Sequence, residues 1–360
     1  MPHLPQRTSL VIQTAAALRG GIAAGEWAGH LPGELELCER LHVSRVTLRT
    51  ALRQLTREGL VRSHQGSRRE IIARGKSRRP AATPRVVLLS PVPAHAMPAP
   101  EMFWVDALRE KLAADTHPLE IHTNLACYSA HPEAALQALA DELRPAAWVL
   151  YLSTPAMQRW FAAQGLPCVV SGSVHPGISL SALDVDFAAV GRHAVGMFAA
   201  HGCRQLALLM PRSEQAGNWE SERGFTEAGR RLAGPKSRTR VIHHDGSVAG
   251  ICAAVDAALA GPERVDGLFI AKPAHVITVA SHLGRRGVRI PVDVSLISRD
   301  DDPFLSHLVP EVARYTRNPE LFARKLSRMA LALADGGAGR SRAVRLMPDF
   351  TPGGTLRRLA

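Results

Sequence analysis

The run Val43-Ser44-Arg45-Val46-Thr47-Leu48-Arg49-Thr50-Ala51-Leu52-Arg53-Gln54-Leu55, closed by Glu58-Gly59-Leu60-Val61, decides how the chain is read. Leu48, Ala51, Leu52 and Leu55 recur at i, i+3, i+4 and i+7, one buried stripe of an α-helix. Ser44 stands where an N-cap hydroxyl accepts from the free N–H groups of the first turn, and Gly59 ends the run. The spacing therefore predicts a helix over 45–58. Arg45, Arg49 and Arg53 are four residues apart and share a side of that helix, away from the leucines.

Working outward, residues 9–24 read as a first helix and Leu31-Pro32-Gly33 as a break. A second helix is expected over Glu34–Leu41, with Leu35, Cys38 and Leu41 on one face, followed by a turn at His42-Val43. Beyond Gly59, residues 60–62 and 69–72 read as two short strands joined by a tip over 63–68, a wing. The major groove admits such a helix: Arg donates two bonds to guanine O6 and N7, and Thr47 reaches a base edge or phosphate. On the wing, His64, Arg68 and Arg69 are placed for phosphates or the minor groove. The bland alternative is a solvated face, its arginines paired with Glu39 or Glu58. Charge weighs against it. Residues 1–85 hold 15 Lys and Arg against 6 Asp and Glu, a net +9 out of +12 for the 360-residue chain. Such asymmetry calls for a polyanion partner of the N-terminal part.

The other bulk features exclude whole classes. Five cysteines, odd in number and without a CxxC pair, argue against a disulfide framework or zinc ribbon and read as buried small side chains. No signal peptide is evident, and no apolar run approaches 18 residues, so a soluble cytoplasmic protein is expected. The sixteen histidines form no HExxH, and no G-x-S-x-G elbow, P-loop or dinucleotide loop appears. No catalytic set, metal site or cofactor is expected, and the chain reads as a non-enzyme.

From Leu31-Pro32-Gly33-Glu34-Leu35 through the Val43–Leu52 run to Glu58-Gly59-Leu60-Val61, about 65 residues resemble the GntR-family winged helix. The resemblance implies that Arg45, Thr47 and Arg49 read the operator and that Gly66 shapes the wing tip; Ser44 and Arg53, on the same helix, are further DNA-binding candidates. The sequence departs from the family at Leu35, where a basic phosphate-contacting residue is usual, and in its Arg-rich wing.

After the basic, Pro-containing stretch 74–85, a linker composition, strand-like and helix-like segments alternate. Strands are expected at 86–89, 119–123, 147–152, 168–171, 205–210, 240–243, 267–270 and 294–297, with amphipathic helices between them. This pattern gives an α/β fold with mostly parallel sheets, and some 275 residues exceed the needs of one sheet. Arg223-Gly224-Phe225 and the run Gly287-Val288-Arg289-Ile290-Pro291-Val292-Asp293-Val294-Ser295-Leu296-Ile297-Ser298-Arg299-Asp300-Asp301 are similar to signatures of the LacI/GalR-type effector domain, itself like periplasmic binding proteins. A GntR head on such a body is the arrangement of arabinose-repressor-type regulators.

The resemblance implies an α+β winged helix-turn-helix over 1–73, a linker over 74–85 and a two-subdomain α/β periplasmic-binding-protein-like fold over 86–360. The subdomains are expected at 86–187 plus about 303–335, and at 188–302 plus about 340–360. A small effector, a sugar or sugar derivative, then binds in the cleft between them. Asp300 matches the carboxylate that accepts from sugar hydroxyls; the alternative is a solvated loop Asp. Phe103 and Trp104 fall where the family places an aromatic, or else pack a helix start on the core. Trp219 stacks on a ligand, or is a surface or dimer aromatic. The family's arginine falls on Ser221, with Arg223 two positions later; its Asp-Asn is Asp186-Phe187, and its Asn-Asp is Lys272-Pro273. With three hydroxyl-binding positions altered, an anionic ligand held by Lys272 and Arg299 competes with a plain hexose or pentose. The expectation is a ligand-responsive repressor, a homodimer on palindromic double-stranded operator DNA, with no membrane partner. The rival is an enzyme or binding protein with an incidental basic head.

Overall fold

The computed structural model describes residues 10–24, 26–27, 29–57, 59–62, 69–71, 84–231, 237–336 and 341–357. The wing-tip candidates His64, Gly66 and Arg68, and linker residues 74–83, lie outside them. The chain divides near residue 82 into two units.

The first unit holds α1 (Leu10–Ala24), α2 (Glu34–Leu41), α3 (Arg45–Arg57) and the antiparallel strands β1 (Val61–Arg62) and β2 (Glu70–Ile71). All four residues of the α3 stripe are buried, packed with Ala15, Leu18, Leu31 and Leu37. The Thr47 N–H donates to Ser44 Oγ at 3.2 Å, so Ser44 caps α3. At the other end Gly59 is left-handed (φ 72°) and the Leu60 N–H donates to Leu55 O, a glycine C-terminal stop. Residues 29–31 add a third segment to the wing sheet, with Leu31 N–H donating to Arg69 O and Ile71 N–H to Gly29 O. One expectation on α2 is corrected: Leu37 points inward, while Leu35 is 57% exposed. Two residues turn a helix by about 200°, so burying Leu37 sends Leu35 to the opposite side.

The second unit begins with β3 (Val86–Ser90), α4 (Ala99–Ala114), β4 (Leu119–Thr123), α5 (Glu133–Leu143), β5 (Ala147–Tyr151), α6 (Pro155–Gln164), β6 (Cys168–Ser171) and β7 (Ser181–Val185). There follow α7 (Phe187–Ala200), β8 (Gln205–Pro211), α8 (Ala216–Arg231), β9 (Arg238–His244), α9 (Val248–Leu259), β10 (Gly267–Ile270), α10 (Pro273–Arg285) and β11 (Ser295–Ser298). The unit closes with β12 (Ala313–Thr316), α11 (Pro319–Ala334), β13 (Ala343–Leu346) and β14 (Asp349–Thr351). One six-stranded sheet runs β13-β7-β6-β5-β3-β4 and the other β14-β12-β11-β10-β8-β9. Their described strand pairs are parallel except β12 with β14.

The unbroken apolar strands follow from burial on both faces. Val86 and Leu88 pack with Trp104, Leu108 and Phe322 on one side of the first sheet, while Val87 and Leu89 pack with Leu136, Trp148 and Phe161 on the other. In β8 the same alternation sends Leu206, Leu208 and Met210 to one core and Ala207 and Leu209 to another.

The expected subdomain pieces are corrected at the C-terminal end. Residues 303–316 belong to the second sheet through β12, and 343–346 to the first through β13. The cause is α11, whose Phe322, Ala323, Leu326 and Ala330 are buried in the first sheet's core beside α4. The chain therefore crosses between the sheets at three places, near 186, 317–318 and 347–348. A second constraint sits where α7 crosses α8. A Cβ on Gly224 would stand 2.1 Å from Ala188 O, and one on Gly191 would stand 2.8 Å from Phe225 N. Only glycine permits backbones that close. No described helix is long and apolar enough to cross a membrane.

Candidate DNA-reading face and ligand cleft

On the first unit, the capped start of α3 presents Arg45 and Val46 to solvent, and Val46 is 76% exposed. Arg49, one turn later, is also exposed, and its Nε donates to Glu34 Oε2 at 2.8 Å. The other oxygen of Glu34 accepts from Arg69 Nη1 at 2.9 Å. Glu34 thus joins the arginine of α3 to the arginine of the wing, and the Arg49 hydrogen bond holds its carboxyl below the ordinary value despite partial burial. Arg53 donates to Thr50 Oγ1 at 3.1 Å rather than to a carboxylate. Among the described residues the acidic partner of the face is Glu34, fifteen residues before Arg49, where no helical spacing points to it; Glu58 lies outside the described residues.

Between the two sheets of the second unit lies a cleft of about 440 Å³, lined from both sheets and from the crossings. Arg299, at the end of β11, is 3% exposed and forms its floor. Its Nη1 donates to Asn218 Oδ1 (2.7 Å) and Ser221 Oγ (3.1 Å), and its Nη2 donates to Asp300 Oδ2 (2.9 Å). Its Nε is buried with no hydrogen-bond partner. The guanidinium lies over the Phe187 ring, 4.5 Å from the centroid. Across the cleft, Arg317 donates to Glu101 Oε1 at 2.9 Å and lies over Phe322. Asp184 accepts from Ser173 Oγ and from the Val185 N–H, both at 2.7 Å. Burial nevertheless pushes its carboxyl up to about 6.

Lys272 and Asp300 line this cleft, as does Phe103, which is half exposed. Burial, reinforced by Arg299, lowers the Lys272 ammonium below its ordinary value. Burial alone would raise the Asp300 carboxyl, but Arg299 and Lys272 hold it below the usual range. The other sequence candidates lie elsewhere. Trp104 is fully buried in the core, and its indole N–H donates to Glu101. Arg223 faces outward and pairs with Glu220 and Glu227, because it lies two residues beyond Ser221 on α8 and so on another side. Ser221 is fully buried beneath the cleft, outside its lining, and accepts from Arg299. Trp219 is outside the lining; its ring meets His175, which is in it. Sequence reasoning missed Glu101, Asn218 and Arg317, whose roles depend on partners far away in the chain. Asp186, which matches the family's Asp, caps α7 by accepting from the Ala189 N–H.

Comparison with known proteins agrees with both halves. Residues 10–71 match the family of bacterial regulatory proteins, gntR family, and residues 195–356 match the periplasmic binding protein-like domain. The HTH-type transcriptional regulator CelR of Thermobifida fusca is 25% identical over 167 residues, 46% of this chain and 49% of that protein. The chain therefore matches about half the length of that relative. A regulatory protein of the LacI family from Chloroflexus aggregans superposes with a TM-score of 0.67 at 16% identity, over 76% of this chain and 99% of that one. A transcriptional regulator CelR–cellobiose complex gives a TM-score of 0.65 at 18% identity, over 97% and 100%.

Proposed function

We propose, from a gntR-family DNA-binding head joined to a periplasmic-binding-protein-like body, that the protein is a ligand-responsive, sequence-specific transcription regulator acting as a repressor. One observation carries this reading. An exposed Arg45 and Arg49 stand with Thr47 on the Ser44-capped end of α3, in a chain whose other unit holds a deep polar-floored cleft. Arg49, oriented through Glu34, reads a base edge, and Arg69 with the wing holds the phosphate backbone. A homodimer matches the two-fold symmetry of a palindromic operator, and the site of action is the cytoplasm.

The effector in the cleft is a small molecule, and the relative's cellobiose complex favours a carbohydrate or a derivative of one. The three crossings between the sheets let the subdomains close on it. Its effect on DNA binding is bounded by its differential affinity for the open and closed states. Selection on random duplex DNA followed by gel shift tests the reading. The expected result is sequence-selective binding that weakens steeply with salt. Binding without sequence preference, or turnover of a cleft ligand in the absence of DNA, favours the rival binding protein or enzyme and overturns the proposal.

A further inference from the structure

We infer that the effector carries a compact oxyanion, a carboxylate or a phosphoryl group, which seats against the Lys272 ammonium with Arg299 behind it. This rests on the reading of the cleft as the effector site.

The charges in the cleft are unequally matched. Each lining carboxylate already accepts from a protein donor: Glu101 from Arg317, Asp184 from Ser173, Asp300 from Arg299, Asp301 from Thr316, and Asp302 from the Phe304 N–H. Arg299 and Arg317 are held in the same way, each on a carboxylate and an aromatic ring. Among the described residues the Lys272 ammonium has neither a hydrogen-bond partner nor an ion-pair partner, and only the longer-range fields of Arg299, Asp300 and Glu101 act on it. The largest of these fields is that of another cation, Arg299. A desolvated ammonium beside a guanidinium is an unfavourable placement that an incoming anion relieves. The surroundings bear this out. Phe187 and Pro273 stand where hydroxyl-binding residues were expected, and both line the cleft. Asn218 Oδ1 in the lining and Ser221 Oγ beneath it are both taken up by Arg299. A ligand with few hydroxyls and one anion suits this wall better than a neutral polyol. Anion binding also raises the lowered Lys272 pKa, so binding takes up a proton and weakens as pH rises through the free-state value.

The test uses the full chain and calorimetric titration with two matched sets: glucose, gluconate and glucose 6-phosphate, and benzyl alcohol with benzoate. In at least one set the anion should bind about tenfold or more tighter than its neutral counterpart, the worth of one charge-assisted hydrogen bond. Lys272→Met should bring that ratio close to one, and Lys272→Arg should restore part of it. Gluconate against glucose 6-phosphate distinguishes carboxylate from phosphoryl. Neutral members binding as tightly as the anions, no anion binding at all, or a preference that survives in a folded Lys272→Met would each overturn the inference. Ala274→Trp fills the exposed mouth of the cleft. If it abolishes the binding of a neutral ligand that is indifferent to Lys272, the cleft reading stands and the anion inference falls. If anion binding survives Ala274→Trp, both fall.

Discussion

The Arg299 guanidinium lies over the Phe187 ring at 4.5 Å, although the two residues stand a hundred and twelve positions apart in the sequence. Asn218, Ser221 and Asp300 hold the same guanidinium from its edge. A buried cation is tolerated only when its donors are paired, and the aromatic face supplies what the edge does not. Phe187→Leu keeps the bulk and loses the π-face. It should cost about 0.5–2 kcal/mol of stability in denaturant unfolding. A double-mutant cycle with Arg299→Met checks that the loss belongs to this pair, because additivity of the two changes would show no coupling.

Arg49 is both exposed and fixed in direction by Glu34. Arg49→Ala should weaken operator binding by about 1–3 kcal/mol and relax selectivity at one base pair. Quantitative gel shifts against single-base operator variants measure this. A uniform loss over all sequences would make Arg49 a phosphate contact instead.

Asp300 touches the cleft and Arg299, and it belongs to a unit separate from the DNA-reading face. Asp300→Ala should abolish the effect of ligand on operator affinity while ligand-free operator affinity stays within about twofold, a few tenths of a kcal/mol. A ligand response that persists would place the effector elsewhere.

Gly224 admits Ala188 of the neighbouring helix so closely that an added methyl has no room, and what it meets is backbone. Gly224→Ala should cost about 1–3 kcal/mol or more by forcing α7 and α8 apart. Since α8 carries Asn218 and Ser221 and α7 begins at Phe187, ligand affinity should fall with stability. Retained stability and retained affinity together would contradict the close crossing.

Acid should destabilise the second unit through its buried histidines. Burial, with His244 and Lys272 nearby, lowers His275 from 6.5 to about 4. Between those values the unfolded chain binds a proton that the folded one refuses, so stability falls as pH drops through that window. His244 and His175 shift in the same direction, burial again being the main cause. Asp184 acts oppositely: its carboxyl at about 6 rather than 3.8 makes the folded state the better proton binder, and stability falls as pH rises through 6. In urea unfolding, His275→Asn should flatten the loss between pH 6.5 and 4.5. Asp184→Asn should raise the midpoint at pH 7.5 and change little at pH 4. Reversed signs would contradict the burial of these groups.

The helices, their caps and most of their buried faces are legible in the order of the residues. The stripe at Leu48, Ala51, Leu52 and Leu55 names the buried face of α3, Ser44 and Gly59 name its ends, and each apolar run from Val86 onward names a strand buried on both sides. Periodicity and caps act within a few residues, so they are written in order along the chain. The short C-terminal strands carry no such signal: β12, β13 and β14 have only three or four residues each, and their sheet membership follows from where α11 packs. Likewise Trp104 and Phe103 are adjacent in sequence, yet the helix rotation sends one to the core and the other to the cleft. The site itself was decided by tertiary structure. Glu34 meets Arg49 across fifteen residues, Asn218 meets Arg299 across eighty-one, and Glu101 meets Arg317 across two hundred and sixteen. Hydrogen bonds and burial depend on distance in space, and only the folded chain sets that distance.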